Sequence, residues 1–273
     1  MASPTAKPSA VTPTKSTATA QPSDEPTTAS DRPFADDPPP PLLSKSKLAN
    51  AIKLVDAQRA PADTAIQRWW ATQGTGIADD AFTKWALQQI PAAGTEFARS
   101  QELAQLKTVT ISRSATDVKA ARWLERHADA DVWALLRQEQ LALRSGDTQP
   151  SMKELELVTR LASTIAKGYS DTAKRPAPYV LDPTLKDDQK AAKSPTECPC
   201  SYPSEAPARG AAARTYLGAL VPHRLDEYRW FEAQIATGEF LRGEALPSDI
   251  SASAFIGDLV GRYVLVTRGY AKP

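Results

Sequence analysis

Three stretches gather the side chains able to do chemistry. AKGYSDTAKRPAPY at 166–179 carries Lys167 and Arg175, CSYPSEAPARGAAA at 200–213 carries Ser204 and Glu205, and GEFLRGEALPSDISA at 238–252 carries Glu239, Glu244 and Asp249. Carboxylates brought together in this number raise one another's pKa, act as general acids and bases, or offer oxygen ligands to a hard cation. Arg175 and Lys167 are the groups suited to holding an anion. Their plainer role is structural, with Arg175 expected to pair with Glu239 or Asp249, because buried charges are paired ones. Asp249 follows Pro247 and Ser248 at a helix start, where a carboxylate caps free N–H groups. The two histidines are His127, in the polar stretch ERHADAD, and His223, between Pro222 and a charged segment. Both read as solvated. Cys198 and Cys200 flank Pro199. That spacing strains a mutual disulfide, and two cysteines without histidine neighbours make a poor metal site, so free thiols or an intermolecular bridge are expected, with no metal and no cofactor.

The elements that must position these groups are helical. From Lys47 onward apolar residues recur at helical spacing, with little period-2 alternation and no Asn-Gly or Asp-Gly hairpin signal. Leu48, Ile52 and Val55 share a face before Pro61, and Asp63 to Trp70 leads to a break at Gly74 and Gly76. Asp79 is placed to cap a helix that stops at Pro91, and Thr95 opens another. Helical patterns start again at Thr116 and at Asp129, the latter reaching Gly146. Ser151 and Glu154 have the spacing of a capping box for a long helix. A polar loop of about 25 residues follows Pro176, longer than compact domains usually carry. Helices are then expected over 204–220, 224–241 and 248–268. The six tryptophans fall on helical faces as core residues, except that Trp69 and Trp70 are adjacent and cannot both point inward.

Composition bounds what surrounds this bundle. The chain has 273 residues with 33 Lys and Arg against 32 Asp and Glu, so its formal charge of +1 gives no pull towards nucleic acid. No apolar run approaches the roughly 20 residues of a transmembrane helix, and none is expected. Residues 1–37 are rich in Pro, Thr and Ser and read as a disordered tether ahead of a domain over 38–273. Their start, MASPTAKPSAVTPT, lacks the apolar run of a signal peptide.

The three stretches, in this order, resemble the signature blocks KxxxxxxRP, PSGH and SRxxxxxHxxxD of class A bacterial acid phosphatases, within the phosphatidic acid phosphatase type 2 (PAP2) and vanadium haloperoxidase superfamily. The 31 residues between the second and third blocks (207 to 237) match the family spacing, and the four-proline run at 38–41 resembles the start of the mature enzymes. The resemblance implies an all-α single-domain bundle, a phosphoric monoester hydrolase by ancestry, an exported protein of the periplasm or cell envelope, and helical faces that pair into a homodimer. In the family one His attacks phosphorus, an Asp orients it, a second His protonates the leaving oxygen, and Lys and Arg hold the phosphoryl oxygens.

Position by position, Arg175 and Pro176 match RP, Pro203 and Ser204 match the start of PSGH, and Asp249 matches the orienting Asp. The remainder departs. Glu205 stands at the block's Gly and Ala206 at its leaving-group His, while Gly238 and Glu239 stand at SR and Ala245 at the nucleophilic His. Gly168 falls at the Lys position, which Lys167 fills only if the helix holds one more residue. Alanine has no lone pair to attack phosphorus and no proton to give, so the phosphohistidine route cannot run. A phosphate dianion would also meet Glu205, Glu239 and Asp249 as like charges. The leading expectation is therefore a pseudoenzyme that binds a small ligand or a protein. The alternatives are an enzyme repurposed around Glu205, Glu239, Glu244 and Asp249, and residual phosphomonoesterase activity with His127 or His223 recruited.

Overall fold

A computed structural model of the chain describes Phe34 and residues 36–128, 131–142, 149–186 and 199–273. The chain divides into a unit ending at Asp36 and a unit Asp37–Pro273 that holds every described helix. The expected tether lies almost wholly outside the described residues. Within the second unit the all-α expectation is met: among the described residues there are helices, one isolated bridge between Pro176 and Cys200, and no strand.

The helices are α1 Lys45–Asp56, α2 Arg59–Gln73, α3 Asp79–Gln89, α4 Glu96–Ile111, α5 Ala115–His127, α6 Asp131–Ala142, α7 Met152–Ala173, α8 Pro178–Leu181, α9 Glu205–Leu220, α10 Leu225–Arg242 and α11 Pro247–Thr267. At the centre is α9, buried on nearly every side and packed by α11, α7 and α10. Such a helix has no polar stripe, and its alanines let neighbours come close. Gly257 and Gly261 of α11 meet it there: a Cβ on Gly257 would lie 2.4 Å from Ala211 Cβ, and one on Gly261 would lie 2.6 Å from Thr215 Cβ. Among the described residues α11 alone has the length and hydropathy to cross a membrane, and most of it is buried inside the bundle.

Several local expectations are corrected. Pro61 does not separate two helices but sits in the first turn of α2, where its missing N–H has no intrahelical partner to lose. Ser151 precedes α7 without a side-chain cap; its N–H goes to the Tyr216 hydroxyl, while Glu154 accepts from Tyr216 and Tyr270. Asp79 does not cap α3 either, since its carboxylate accepts from Tyr263 at 2.7 Å. Trp69 and Trp70 are both buried, because Tyr263 of α11 stacks on Trp70 while Trp69 turns to Phe82 and Trp85 of α3. The long loop after Pro176 contains α8 and a 3-10 turn at Pro183–Leu185, and its remainder, 187–198, lies outside the described residues. The Thr95 cap forms, accepting from Ala98 N–H.

Candidate functional site

The second stretch enters α9 and the third joins α10 to α11, and between them opens a cavity of about 460 Å³. Ser204 stands as N-cap of α9, with its N–H on Ser253 Oγ of α11 at 2.9 Å and its hydroxyl on Glu239 Oε2 of α10 at 3.0 Å. Glu205 opens the helix and accepts from Ser163 of α7 at 2.5 Å, with Arg209 one turn on at 3.6 Å. After α10, Gly243 takes a left-handed φ of 69°, and a Cβ there would lie 2.7 Å from Leu185 O. Both facts require glycine. The turn brings Glu244 onto Arg242, whose guanidinium also lies 3.2 Å from Glu125 of α5.

The cavity is therefore lined by Ser204, Glu205, Ala206, Glu239 and Glu244 of the expected set, together with Glu125, Arg209 and Arg242. Glu239 is 7% exposed and, among the described residues, has no cationic partner within 4 Å. The Tyr202–Pro203 peptide at the cavity's edge is cis.

Asp249 lies behind this wall, fully buried, in the first turn of α11. It accepts from Leu246 N–H at 2.8 Å, as the capping expectation requires, and from Ser201 Oγ at 2.6 Å. Arg99 of α4 stands 3.9 Å away while also donating to Pro176 O. Burial pushes the Asp249 carboxyl up to about 6, against the pull of Ser201, Leu246 N–H and Arg99. Ala245 is buried beside it in sequence, in the helix-connecting turn.

Two expected residues are elsewhere. Arg175 does not pair with Glu239 or Asp249; it donates to Gly94 O at 2.7 Å and lies 3.3 Å from exposed Glu96, because the chain after α7 turns towards the start of α4. Lys167 points outward, 3.3 Å from Asp171, and borders a separate groove on α7. Gly168 faces Leu87 of α3. His127 joins Asp37 and Asp131 at 2.9 and 3.0 Å, His223 is exposed in the turn before α10, and neither bonds to Asp249. Cys200 is disulfide-bonded, which corrects the free-thiol expectation; Cys198, the sequence's other cysteine, lies outside the described residues.

Sequence reasoning missed Arg99, Arg209, Arg242 and Glu125. Arg209 had a signal, one helical turn beyond Glu205. Arg99 had none, being 150 positions from its partner Asp249. Among the described residues no three His, Cys, Asp or Glu are grouped to hold a metal ion. No family model, curated protein or solved structure matches the chain.

Proposed function

We propose that the chain is an acid-phosphatase-like protein of the PAP2 type that no longer runs the phosphohistidine reaction and uses the cavity between α9 and α10 to bind a ligand. The reading rests on the three blocks in family order, with the second and third folding onto one cavity. The observation that carries the loss of chemistry is the composition of that cavity. Ala206 lines it where the leaving group would need a proton, and Ala245 is buried where the nucleophile would stand. Both remaining histidines bond or lie elsewhere. Among the described residues four carboxylates outnumber two guanidiniums around the space, so a phosphate dianion is repelled.

A second reading, an enzyme rebuilt on carboxylates, draws on one observation. Asp249, with its carboxyl raised to about 6, hydrogen-bonds Ser201, and Ser201 reaches the cavity wall. One experiment separates the two. The purified chain is assayed with p-nitrophenyl phosphate across about pH 5 to 8. Ligand binding without chemistry predicts no release of p-nitrophenol beyond the buffer rate. Turnover that disappears in Asp249→Asn, with a pH limb near the Asp249 value, overturns it in favour of the second reading.

A further inference from the structure

We infer that the cavity takes a small linear diamine or polyamine, its ammonium groups held by Glu239 and the neighbouring carboxylates; this rests on the proposed loss of phosphatase chemistry. Among the described residues the lining carries four carboxylates and two guanidiniums, an excess of two negative charges. Each guanidinium is already committed: Arg242 bridges Glu125 and Glu244, and Arg209 stands against Glu205 and Ser163. Glu239 is left over. It is more than nine-tenths buried, and among the described residues its Oε2 is met only by the neutral Ser204 hydroxyl and its Oε1 takes no hydrogen bond. A carboxylate that lines a narrow cavity without a counter-ion attracts a cation more strongly than one in open water does.

The chemistry of the lining narrows the cation. A hard divalent ion asks for six to eight oxygens, and no three acidic groups among the described residues are arranged to share one. An alkylammonium asks for less: one or two carboxylate oxygens and a hydroxyl for each head, and apolar surface for its methylenes. Ser204 and Glu239 supply the first, and Pro199, Pro203 and Ala206 supply the second. The volume of about 460 Å³ lies in the range of small-molecule sites, and the excess of two charges suits a ligand with two ammonium groups.

The test is calorimetric titration of the full chain with putrescine and with spermidine, alongside uncharged butanediol and MgCl₂ at matched ionic strength. Saturable binding of the amines is expected, with no saturable binding of butanediol or Mg²⁺. Glu239→Gln keeps an acceptor for Ser204 and should weaken amine binding by about tenfold or more, while Glu156→Gln, on the exposed face of α7, should leave it unchanged. Circular dichroism shows whether each variant is folded. Absence of amine binding to the folded wild-type chain overturns the proposal, as does binding that folded Glu239→Gln retains in full or that Mg²⁺ reproduces. Phosphatase turnover would remove the reading beneath it without silencing the titration, and failed titration leaves a negative phosphatase assay standing.

Discussion

Asp249 is the residue at which burial and helix capping meet. It holds the Leu246 N–H and the Ser201 hydroxyl through one oxygen, while its other oxygen has no hydrogen-bond partner and is out of solvent. Burial dominates, and the carboxyl rises from 3.8 to about 6 despite Arg99, with Glu102 adding to the rise. The folded state thus holds this proton more tightly than the unfolded chain does. The group favours the fold while protonated, and that contribution drains away as pH climbs from the unfolded value to the folded one, by about 3 kcal/mol in all. Asp249→Asn keeps an acceptor for Leu246 and removes the titration. Its stability relative to wild type, measured by urea unfolding, should improve by that order as pH rises from about 4 to about 7; a difference that stays flat with pH refutes the assignment. At this scale part of the expected set gathers, since Ser204, Glu205, Ala206, Glu239 and Glu244 line one cavity, while Asp249 lies behind its wall and Lys167 and Arg175 stand elsewhere. The sequence did not tell their pairings. Arg175 goes to Glu96 because the start of α4 happens to lie beneath it, a long-range fact that no local spacing encodes.

Helices decide how closely the site's walls can stand. α9 and α11 approach until Gly257 touches the backbone of the other helix, with Ala208 O and Ala212 N both 2.6 Å from where a Cβ would sit. Backbone cannot step aside as a side chain can, so Gly257→Ala should destabilise by about 2 kcal/mol or more through overpacking. Gly238 of α10 is the contrast. A Cβ there would meet Ala121 Cα at 3.6 Å, ordinary contact, so Gly238→Ala should be neutral or stabilising by up to about 1 kcal/mol from helix propensity alone. Urea midpoints of the two variants check the pair, and equal shifts would show that the close approach carries no constraint. The helices themselves were legible because their punctuation is local: Pro91, Gly74 and the Thr95 cap all act where expected. What failed were single side chains whose local role was outbid from afar. Tyr263 took Asp79 and Tyr216 took Glu154, since a buried phenol hydroxyl favours an acceptor whatever the helix end would prefer, and exposed Tyr270 joins the same Glu154 carboxylate.

Across the whole molecule the near-zero formal charge conceals two unlike interiors. In the core, Arg214 of α9 makes two bonds to Glu232 of α10, at 2.8 and 3.0 Å, and one of 2.7 Å to Asp258 of α11, with Thr215 on the same carboxylate. Arg59, half-buried on α2, adds a second positive charge within electrostatic reach of both acids, and its own pKa is lowered by burial and by Arg214. Arg59 is itself paired with Asp56 at 3.1 Å, so the direct partner of Glu232 and Asp258 is Arg214, and the cluster ties α9, α10 and α11 together. The cavity differs in that one of its carboxylates, Glu239, has no cation within 4 Å among the described residues. The comparison predicts different responses to removal of a charge. Arg214→Met strips Glu232 and Asp258 of their shared partner inside the core, and should cost about 3–5 kcal/mol in urea unfolding. Glu239→Gln removes an unpaired charge and should leave stability unchanged or raised. Replacing Arg214, Glu232 and Asp258 together by apolar residues of similar volume should recover most of the loss, because no buried charge is then stranded. If the triple variant is as unstable as Arg214→Met, the cluster serves through its shape and hydrogen bonds, and charge balance is not what holds α9, α10 and α11 in register.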